Sequence, residues 1–253
     1  MIDSHCHLEW KDFDPDRDKV IGDCRKGGLK AIVTSCARLA DLEKSLGIVK
    51  KHRGFVFMTA GLHPEFVKDI SEKDVEGFMD FVKENEKGMV GIGECGLDYH
   101  WVKESRWQEK QKEMFKRILE FAEEVKKPVV VHSREASQDT IRILEDSGAK
   151  ILWHMFTDRK VLPEVMGKEW MISINTLILR SKDVRKIARD MPLERILLET
   201  DSPWLGPEGK RNTPLSIRDV AEKIAEIKKL DFERVWEQGG KGAVNFFSLP
   251  VKL

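Results

Sequence analysis

The sequence lacks several features by which other classes of protein are recognised. Its four cysteines form no Cys-x-x-Cys pair, so it predicts neither a disulfide framework nor a thiolate zinc site. Lysine plus arginine (44) equals aspartate plus glutamate (44), so no excess of positive charge draws a polyanion to the whole surface. Nucleic acid is still not excluded, because bound divalent cations can attract phosphate at one site whatever the net charge.

Long apolar runs and composition breaks are also absent. No run approaches the roughly 18 residues of a membrane-spanning helix, and polar residues begin at Asp3. We therefore expect no signal peptide, no membrane partner and, by default, a cytoplasmic location. No Pro/Gly-rich linker or low-complexity tract interrupts the chain, so we expect one domain over residues 1–253 and infer no obligate protein partner.

The sequence does contain a regular alternation of short apolar runs with longer charged segments of helical period. Strand candidates cover 2–7, 30–35, 55–62, 89–94, 128–132, 150–156, 170–175 and 195–201. Helix candidates cover 14–26, 41–52, 71–86, 107–126, 135–147, 158–167, 181–191, 216–229 and 232–247. This repeat predicts an α/β fold, a closed (β/α)₈ TIM barrel, rather than an open doubly wound sheet. The longest loops, 95–106 and 202–215, follow strands, on the side where such barrels build their sites.

Residues that commonly bind metals stand at the predicted carboxyl ends of these strands. They are His5, His7, Glu94, His132, His154 and Asp201. Each alone has a structural alternative: a core histidine for His132, a surface carboxylate for Glu94 and a turn cap for Asp201. Together they are much harder to explain as structural residues, because all must fall at the same relative position in their strands.

Alternation along the strands places these side chains above apolar residues that fill the barrel. The expected same-face sets are Ile92 with Glu94, Val130 with His132, Leu152 with His154, and Leu197 with Glu199 and Asp201. Cys6 and Cys95 are then directed toward the helices, where we expect them to be packing groups rather than ligands.

Four imidazoles and two carboxylates are more than one four-coordinate ion takes from protein. The sequence therefore predicts two divalent cations. A carboxylate that bridges two ions holds them about 3.5–4 Å apart, and water held there can ionise near neutral pH and act as the nucleophile. Glu94, from the middle of the barrel order, is the candidate bridge.

Five ordered strings resemble the TatD family of metal-dependent hydrolases, within the amidohydrolase superfamily of barrel enzymes. The strings are DSHCHL (3–8), GLHP (61–64), GECGLDY (93–99), PVVVHSR (128–134) and ETDSP (199–203). The resemblance spans residues 3 to about 214. It implies one divalent ion held by His5, His7, Glu94 and Asp201, and a second held by Glu94, His132 and His154.

The resemblance also implies a reaction. Asp201 would handle the proton of the attacking water, so Asp201 and Glu94 are the predicted catalytic residues. The implied activity is deoxyribonuclease-type hydrolysis of phosphodiesters, often as a 3′-to-5′ exonuclease on single-stranded DNA, with Mg²⁺ or Mn²⁺ and with Zn²⁺ as a further candidate. Met155 and Thr213 stand where the family often has cysteine and an acidic residue. The second departure lies in the eighth loop and leaves the choice of substrate open.

Two residues beside the predicted ligands are candidates to bind substrate. His63 could hydrogen-bond a phosphate oxygen or the leaving group, or be an ordinary turn histidine. Arg134 could pair bidentately with a phosphate, or form a structural ion pair with Glu135 or Asp139.

Other residues are candidates to support the site or to contact bases. Glu199 shares a strand face with Asp201 and is predicted to support it, whereas Asp98 either orients a ligand or anchors its loop. Bases could stack on Trp101, Trp107 and Trp204, although packing is the commoner role of a tryptophan. Trp153, next to His154, is expected to face the helices.

Two further functions compete with nuclease activity. The same metal-activated water could attack an ester, lactone or amide, including an aminoacyl ester on tRNA, and the neutral pI of about 7.1 permits this. The third hypothesis is that the protein is a non-catalytic scaffold that binds metal. It is the weakest, because no member of the ligand set is missing.

Overall fold

The computed structural model describes residues 1–253 as alternating strands and helices. The strands are β1 (Ile2–Cys6), β2 (Ala31–Cys36), β3 (Val56–Ala60), β4 (Met89–Asp98), β5 (Val129–Arg134), β6 (Ile151–Trp153), β7 (Met171–Ile174) and β8 (Ile196–Leu198). The helices are α1 (Arg17–Lys26), α2 (Leu42–Lys51), α3 (Glu72–Glu84), α4 (Ser105–Glu124), α5 (Ser137–Leu144), α6 (Leu162–Met166), α7 (Lys182–Asp190), α8 (Ile217–Lys228) and α9 (Phe232–Phe247). Each corresponds to a predicted segment, with ends that differ by a few residues.

The strands form one parallel sheet in the order β1 to β8. The seam between β1 and β8 is joined by backbone hydrogen bonds just beyond β8: Asp201 N–H donates to the His5 carbonyl (3.0 Å) and His7 N–H to the Ser202 carbonyl (2.7 Å). The hydroxyl of Ser4 donates to the Leu198 carbonyl (2.8 Å). The predicted (β/α)₈ barrel is confirmed, because each strand-helix unit lays its strand beside the preceding one.

Two apolar clusters hold the barrel together. The larger lies between strands and helices and includes Cys6, Cys95 and Trp153, all on the helix side as predicted. The smaller fills the barrel interior, where Val130, Leu152 and Leu197 pack with the end of α9. The buried rings at that end belong to Phe246 and Phe247. No helix is both long and apolar enough to cross a membrane.

Strict alternation fails in two strands that reach the site. In β4 the register against β5 shifts between Ile92 and Cys95, and Ile92 packs in the outer cluster while Glu94 lines the cavity at the strand ends. The prediction that Ile92 and Glu94 share a strand face is therefore wrong. In β1 the register against β2 shifts between Asp3 and Cys6. Such bulges re-aim a side chain relative to its neighbours.

Strand β4 is also longer than predicted. It ends at Asp98 rather than Glu94, because residues 95–98 pair with residues 131–134 of β5. Gly96 permits this pairing: at its φ of +138°, a Cβ would lie 2.0 Å from the His132 carbonyl oxygen. The extension shortens the predicted loop and places Asp98 beside the end of β5.

Candidate active site

A cavity of about 500 Å³ opens at the carboxyl ends of the strands. The six residues predicted to bind metals meet at this end, and all are buried. Five of them line the cavity, and His5 contacts the others without lining it. A larger cavity, of about 780 Å³ beside Trp170 and Asn245, contains none of them.

Four donor atoms form the first group. His5 Nε2 lies 3.2 Å from His7 Nε2, and these nitrogens lie 3.3 and 3.4 Å from Glu94 Oε1. Asp201 Oδ1 lies 3.8 Å from His5 Nε2 and 3.4 Å from His7 Nε2. Donors about 2.1 Å from a common ion lie roughly 3.0–3.5 Å apart. Four of these five distances lie in that range, so the spacing suits one divalent cation.

The other carboxylate oxygen of Glu94 belongs to a second group. Glu94 Oε2 lies 3.4 Å from His154 Nε2, 3.6 Å from His132 Nδ1 and 3.7 Å from His63 Nε2. Glu94 Oε1 is buried and has no hydrogen-bond donor. A buried carboxylate oxygen without a donor is costly, and a cation between Oε1 and the surrounding imidazoles would compensate it. The residues thus fit a pair of cations, for which Glu94 would be a shared ligand.

In three of these histidines, the ring nitrogen that faces away from the cluster contacts a carboxylate. His7 Nδ1 lies 3.3 Å from Glu9 Oε1, and His154 Nδ1 lies 3.2 Å from Glu199 Oε2. Because a carboxylate can only accept, each of these nitrogens carries the proton in the neutral ring, and the lone pair of Nε2 is then the one that can bind a cation.

In His132 the two ring nitrogens exchange roles. Its Nε2 lies 3.0 Å from Asp98 Oδ2, so Nδ1 is the nitrogen that faces Glu94. The second oxygen of Asp98 accepts the backbone N–H groups of His100 (2.9 Å) and Trp101 (2.8 Å). Asp98 therefore both orients a histidine and anchors its loop, the two roles that were alternatives from sequence.

Two buried carboxylates escaped the sequence analysis. Glu9 also accepts the hydroxyl of Thr34 (2.8 Å), and Asp3 accepts the hydroxyl (2.6 Å) and N–H (3.1 Å) of Thr200. Burial raises the pKa of Asp3 well above its usual range. The signal for both was the two-residue spacing that they continue on either side of His5 and His7.

Mutual electrostatic stabilisation keeps the central carboxylates ionised. Burial opposes ionisation of Glu94, but the charges of His5 and His154 outweigh it and bring its pKa well below the usual range. The same opposition operates at Asp201, where burial raises the pKa and the contact with His7 leads the contributions that lower it. Burial likewise disfavours protonated His154, yet Glu199 and Glu94 raise its pKa to about 9. Both carboxylates are thus in the form that binds cations.

His63 enters the cavity as a neutral hydrogen-bond donor. Its Nδ1 accepts the backbone N–H of Glu65 (3.2 Å), so in the neutral ring the proton is on Nε2. Burial, together with the nearby His132, lowers the pKa of His63 to about 3. The Nε2–H group faces Glu94 Oε2 at 3.7 Å, too far for a hydrogen bond, and remains available to a ligand.

The outer walls of the cavity combine arginine with tryptophan. The Arg134 guanidinium lies 5.5 Å from the ring centre of Trp101, and that of Arg38 lies 4.3 Å from the ring centre of Trp10. On the same wall as Trp10, the ring of Trp204 meets it edge to face at 5.1 Å. Sequence reasoning missed Arg38 and Trp10, whose proximity depends on how the loop after β2 folds over β1.

The contacts of Arg134 and Trp107 also decide between roles that the sequence left open. Arg134 forms no ion pair with Glu135 or Asp139: Glu135 pairs with His100 and Lys103, and Asp139 pairs with Lys112 and Arg142. Trp107 does not line the cavity. It packs partly buried on α4, with Arg106 and Lys110 over its ring.

Comparison with known proteins identifies the family of this chain. A family model described as "TatD related DNase" matches residues 2–248. An uncharacterized metal-dependent hydrolase of Methanocaldococcus jannaschii is 36% identical over 248 residues, covering 97% of this chain and 96% of that protein. A human protein named as a deoxyribonuclease is 34% identical over 258 residues, covering 98% and 94%. The crystal structure of a TatD family hydrolase from Entamoeba histolytica shares the fold, with a TM-score of 0.90 over 97% of both chains at 20% identity. The chain therefore belongs to the TatD family and is a metal-dependent hydrolase.

Proposed function

We propose that this hydrolase is a deoxyribonuclease that removes nucleotides from the 3′ ends of single-stranded DNA with two divalent cations. The observation that carries the proposal is the division of Glu94 between two donor groups, with Oε1 facing His5 and His7 and Oε2 facing His132 and His154. A paired-cation site is the usual machinery of phosphodiester hydrolysis. The human relative named as a deoxyribonuclease supports the choice of substrate.

In this proposal His5, His7, Glu94 and Asp201 hold one ion, and Glu94, His132 and His154 hold the other. Bound there, the ions would lower the pKa of a water and neutralise charge on the phosphoryl group. Four imidazoles suit Mn²⁺ or Zn²⁺, whereas carboxylates and water suit Mg²⁺. All three metals therefore belong in the test.

Asp201 is the proposed proton acceptor. Its carboxylate lines the cavity and is ionised because its pKa is lowered. Its Oδ1 is engaged by His7 and lies near His5, so the carboxylate is held in place before the reaction. A group within reach of the attacking water and already deprotonated can accept its proton.

Two side chains are proposed to bind the phosphodiester. His63 donates its Nε2–H to a non-bridging oxygen or to the leaving oxygen, the direction set by its bond from Glu65. Arg134, free of ion pairs at the rim, offers a planar pair of donors to a phosphate.

Metal removal and restoration test the proposal. We expect chelated protein to leave an end-labelled oligonucleotide intact and Mn²⁺, Mg²⁺ or Zn²⁺ to restore shortening from the 3′ end. Strands labelled at either end distinguish the polarity. Full-length strands under every metal would contradict nuclease activity.

Glu94→Gln is the sharpest variant. It keeps the size of the side chain but removes the charge that both ions share, so we expect turnover to fall by about 10³-fold or more. Bound metal, measured by elemental analysis, should fall from two ions to one or none. Glu76→Gln, on the exposed face of α3, is the matched control. Wild-type turnover by Glu94→Gln would exclude the bridging role.

A second candidate is hydrolysis of a carbonyl ester, including an aminoacyl ester on tRNA. The lining of the cavity favours this candidate in one respect. Apart from histidines, its only cationic side chains are Arg38 and Arg134, fewer than a site for a polyanion such as DNA usually has. A panel of esters, lactones and amides measured beside the oligonucleotide decides. A large preference in kcat/KM for a carbonyl substrate would favour this candidate.

A further inference from the structure

A tryptophan in the loop after β8 lies between two cavities. Trp204 lines the cavity at the candidate metal centre and also a neighbouring cavity of about 460 Å³. We call the second one the outer cavity, and its charged lining residues are Asp12, Arg180, Lys210 and Arg211. The lining of the outer cavity thus has three cations and one carboxylate, whereas carboxylates outnumber arginines in the lining of the inner cavity.

The cations of the outer cavity differ in how far they are already neutralised. Arg211 donates to both oxygens of Asp16 (2.9 and 2.7 Å), and Lys210 donates to Glu208 at 2.8 Å. Arg180 is exposed and its side chain has neither an ion pair nor a hydrogen bond. An arginine without a partner beside a cavity is free to bind an anion bidentately.

The tryptophan between the cavities is positioned by contacts of its backbone and of its ring. Trp204 N–H donates to the Asp201 carbonyl (3.1 Å), and its ring meets the ring of His7 edge to face at 4.7 Å. The loop that carries it is anchored by the Thr176 hydroxyl, which donates to the Leu205 carbonyl (2.6 Å). The ring is nevertheless 40% exposed. An exposed aromatic face of this kind can stack a base.

We propose that the outer cavity is a second phosphate subsite for the strand whose scissile phosphodiester lies at the metal centre. The base next to the scissile bond stacks on Trp204, and the adjacent phosphate binds Arg180, with Lys210 beside it. The subsite rests on the proposed nuclease function and adds to it a preference for strands long enough to span both cavities. A dinucleotide, which has only the scissile phosphodiester, cannot use it.

Arg180→Ala tests the phosphate contact. In the wild type we expect a lower KM for a longer single strand than for a dinucleotide, and in Arg180→Ala this difference should largely disappear. The slope of log KM against log salt for the longer strand should fall by about 0.7, the value for one phosphate contact on a single strand. Arg53→Ala removes another unpaired, exposed arginine, near the amino end of β3, and should change neither quantity.

Trp204→Ala tests the stacking contact. We expect KM for the longer strand to rise by about fivefold or more, the effect of losing one base stack, and KM for the dinucleotide to rise as well, because the dinucleotide also has the base next to the scissile bond. Trp204→Phe keeps an aromatic face and should bring KM for both substrates most of the way back to the wild-type value. Equal effects of alanine and phenylalanine would mean that the ring acts only by packing against His7 and Trp10.

The possible results distinguish failure of the proposed subsite from failure of the proposed nuclease function. Cleavage by the wild type with no dependence of KM on strand length, or with Arg180→Ala indistinguishable from Arg53→Ala, overturns the subsite and leaves the nuclease. If the wild type shortens no strand, the proposed function fails. Fluorescence anisotropy with a labelled oligonucleotide then decides the subsite, since absent binding or equal binding by wild type and Arg180→Ala overturns it.

Discussion

His7, His132 and His154 each direct one ring nitrogen at the site and the other at a carboxylate. That second contact fixes the tautomer and the ring orientation, and it raises the basicity of the nitrogen that faces a cation. His5 differs, because its Nδ1 is buried without a partner. Its orientation depends instead on β1 and on the ring of His154, stacked on it at 3.9 Å.

Asp98→Asn is expected to loosen the ion held by His132. The amide keeps an oxygen for the loop N–H groups of His100 and Trp101, but it loses the charge that holds the imidazole. We expect metal affinity or activity to fall by about 10–100-fold, with part of the loss recovered at high metal concentration. Metal titration of activity measures this, and Asp80→Asn, exposed on α3, is the control. Wild-type metal dependence of Asp98→Asn would mean that the carboxylate serves only the loop.

The positions of the donor residues could be predicted from sequence, but their partners could not. Histidine and carboxylate at predicted strand ends need only the strand-helix alternation to be brought together. Glu9 is different: its carboxylate is buried because Thr34, 25 positions away on β2, donates to it. Arg134 likewise has no ion pair because Glu135 pairs with His100 and Lys103 instead. The sequence does not indicate those pairs.

At the scale of elements, the strands that carry the central ligands are the irregular ones. In β1, Ile2 packs inside the barrel and His5 also reaches the site, although three positions separate them and strict alternation would put them on opposite faces. The register shift between Asp3 and Cys6 resolves this, and β4 has a similar shift between Ile92 and Cys95, the interval that contains Glu94. In β1 no glycine marks the bulge, whereas in β4 Gly93, at a φ of +143°, lies within the shift, and a glycine inside a strand often marks a bulge.

Gly61→Ala is expected to disturb the bulge in β4. A Cβ at Gly61 would lie 2.2 Å from the Glu94 carbonyl oxygen, so the backbone that presents Glu94 must move. We expect the free energy of unfolding to fall by about 1–3 kcal/mol, as for other overpacked sites, and turnover to fall with it. Urea denaturation and an activity assay measure the two effects.

The matched control for that substitution lies on α3. A Cβ at Gly77 meets no atom within 4 Å, and the position is exposed within the helix. Gly77→Ala should therefore raise the free energy of unfolding by about 0.4–1 kcal/mol. If both variants behave alike, close approach of β3 to Glu94 does not constrain the site.

At the scale of the whole molecule, the two ends of the sequence meet in one structure. The rings of Phe246 and Phe247 at the end of α9 pack against Ile2 of β1 inside the barrel, and residues just beyond β8 hydrogen-bond to the carbonyl of His5 and the N–H of His7. We therefore predict that residues 1–253 unfold as one domain. Calorimetric and van't Hoff enthalpies should agree, and intrinsic fluorescence and circular dichroism should give the same midpoint. Two separated transitions would contradict a single domain.

Bound cations should stabilise this unit, because the ligand candidates come from five strands or strand ends and surround carboxylates buried together. A ligand at 100 times its Kd contributes about 2.7 kcal/mol per site, which for a chain of this size corresponds to a rise in Tm of roughly 5–10 °C. We expect excess Mn²⁺ to raise the Tm of chelated protein by at least this amount and a chelator to reverse it. Glu94→Gln should lose most of the shift, whereas Glu76→Gln should keep it. An unchanged Tm in the wild type would mean that the clustered histidines and carboxylates do not bind the ion, whatever substrate the enzyme hydrolyses.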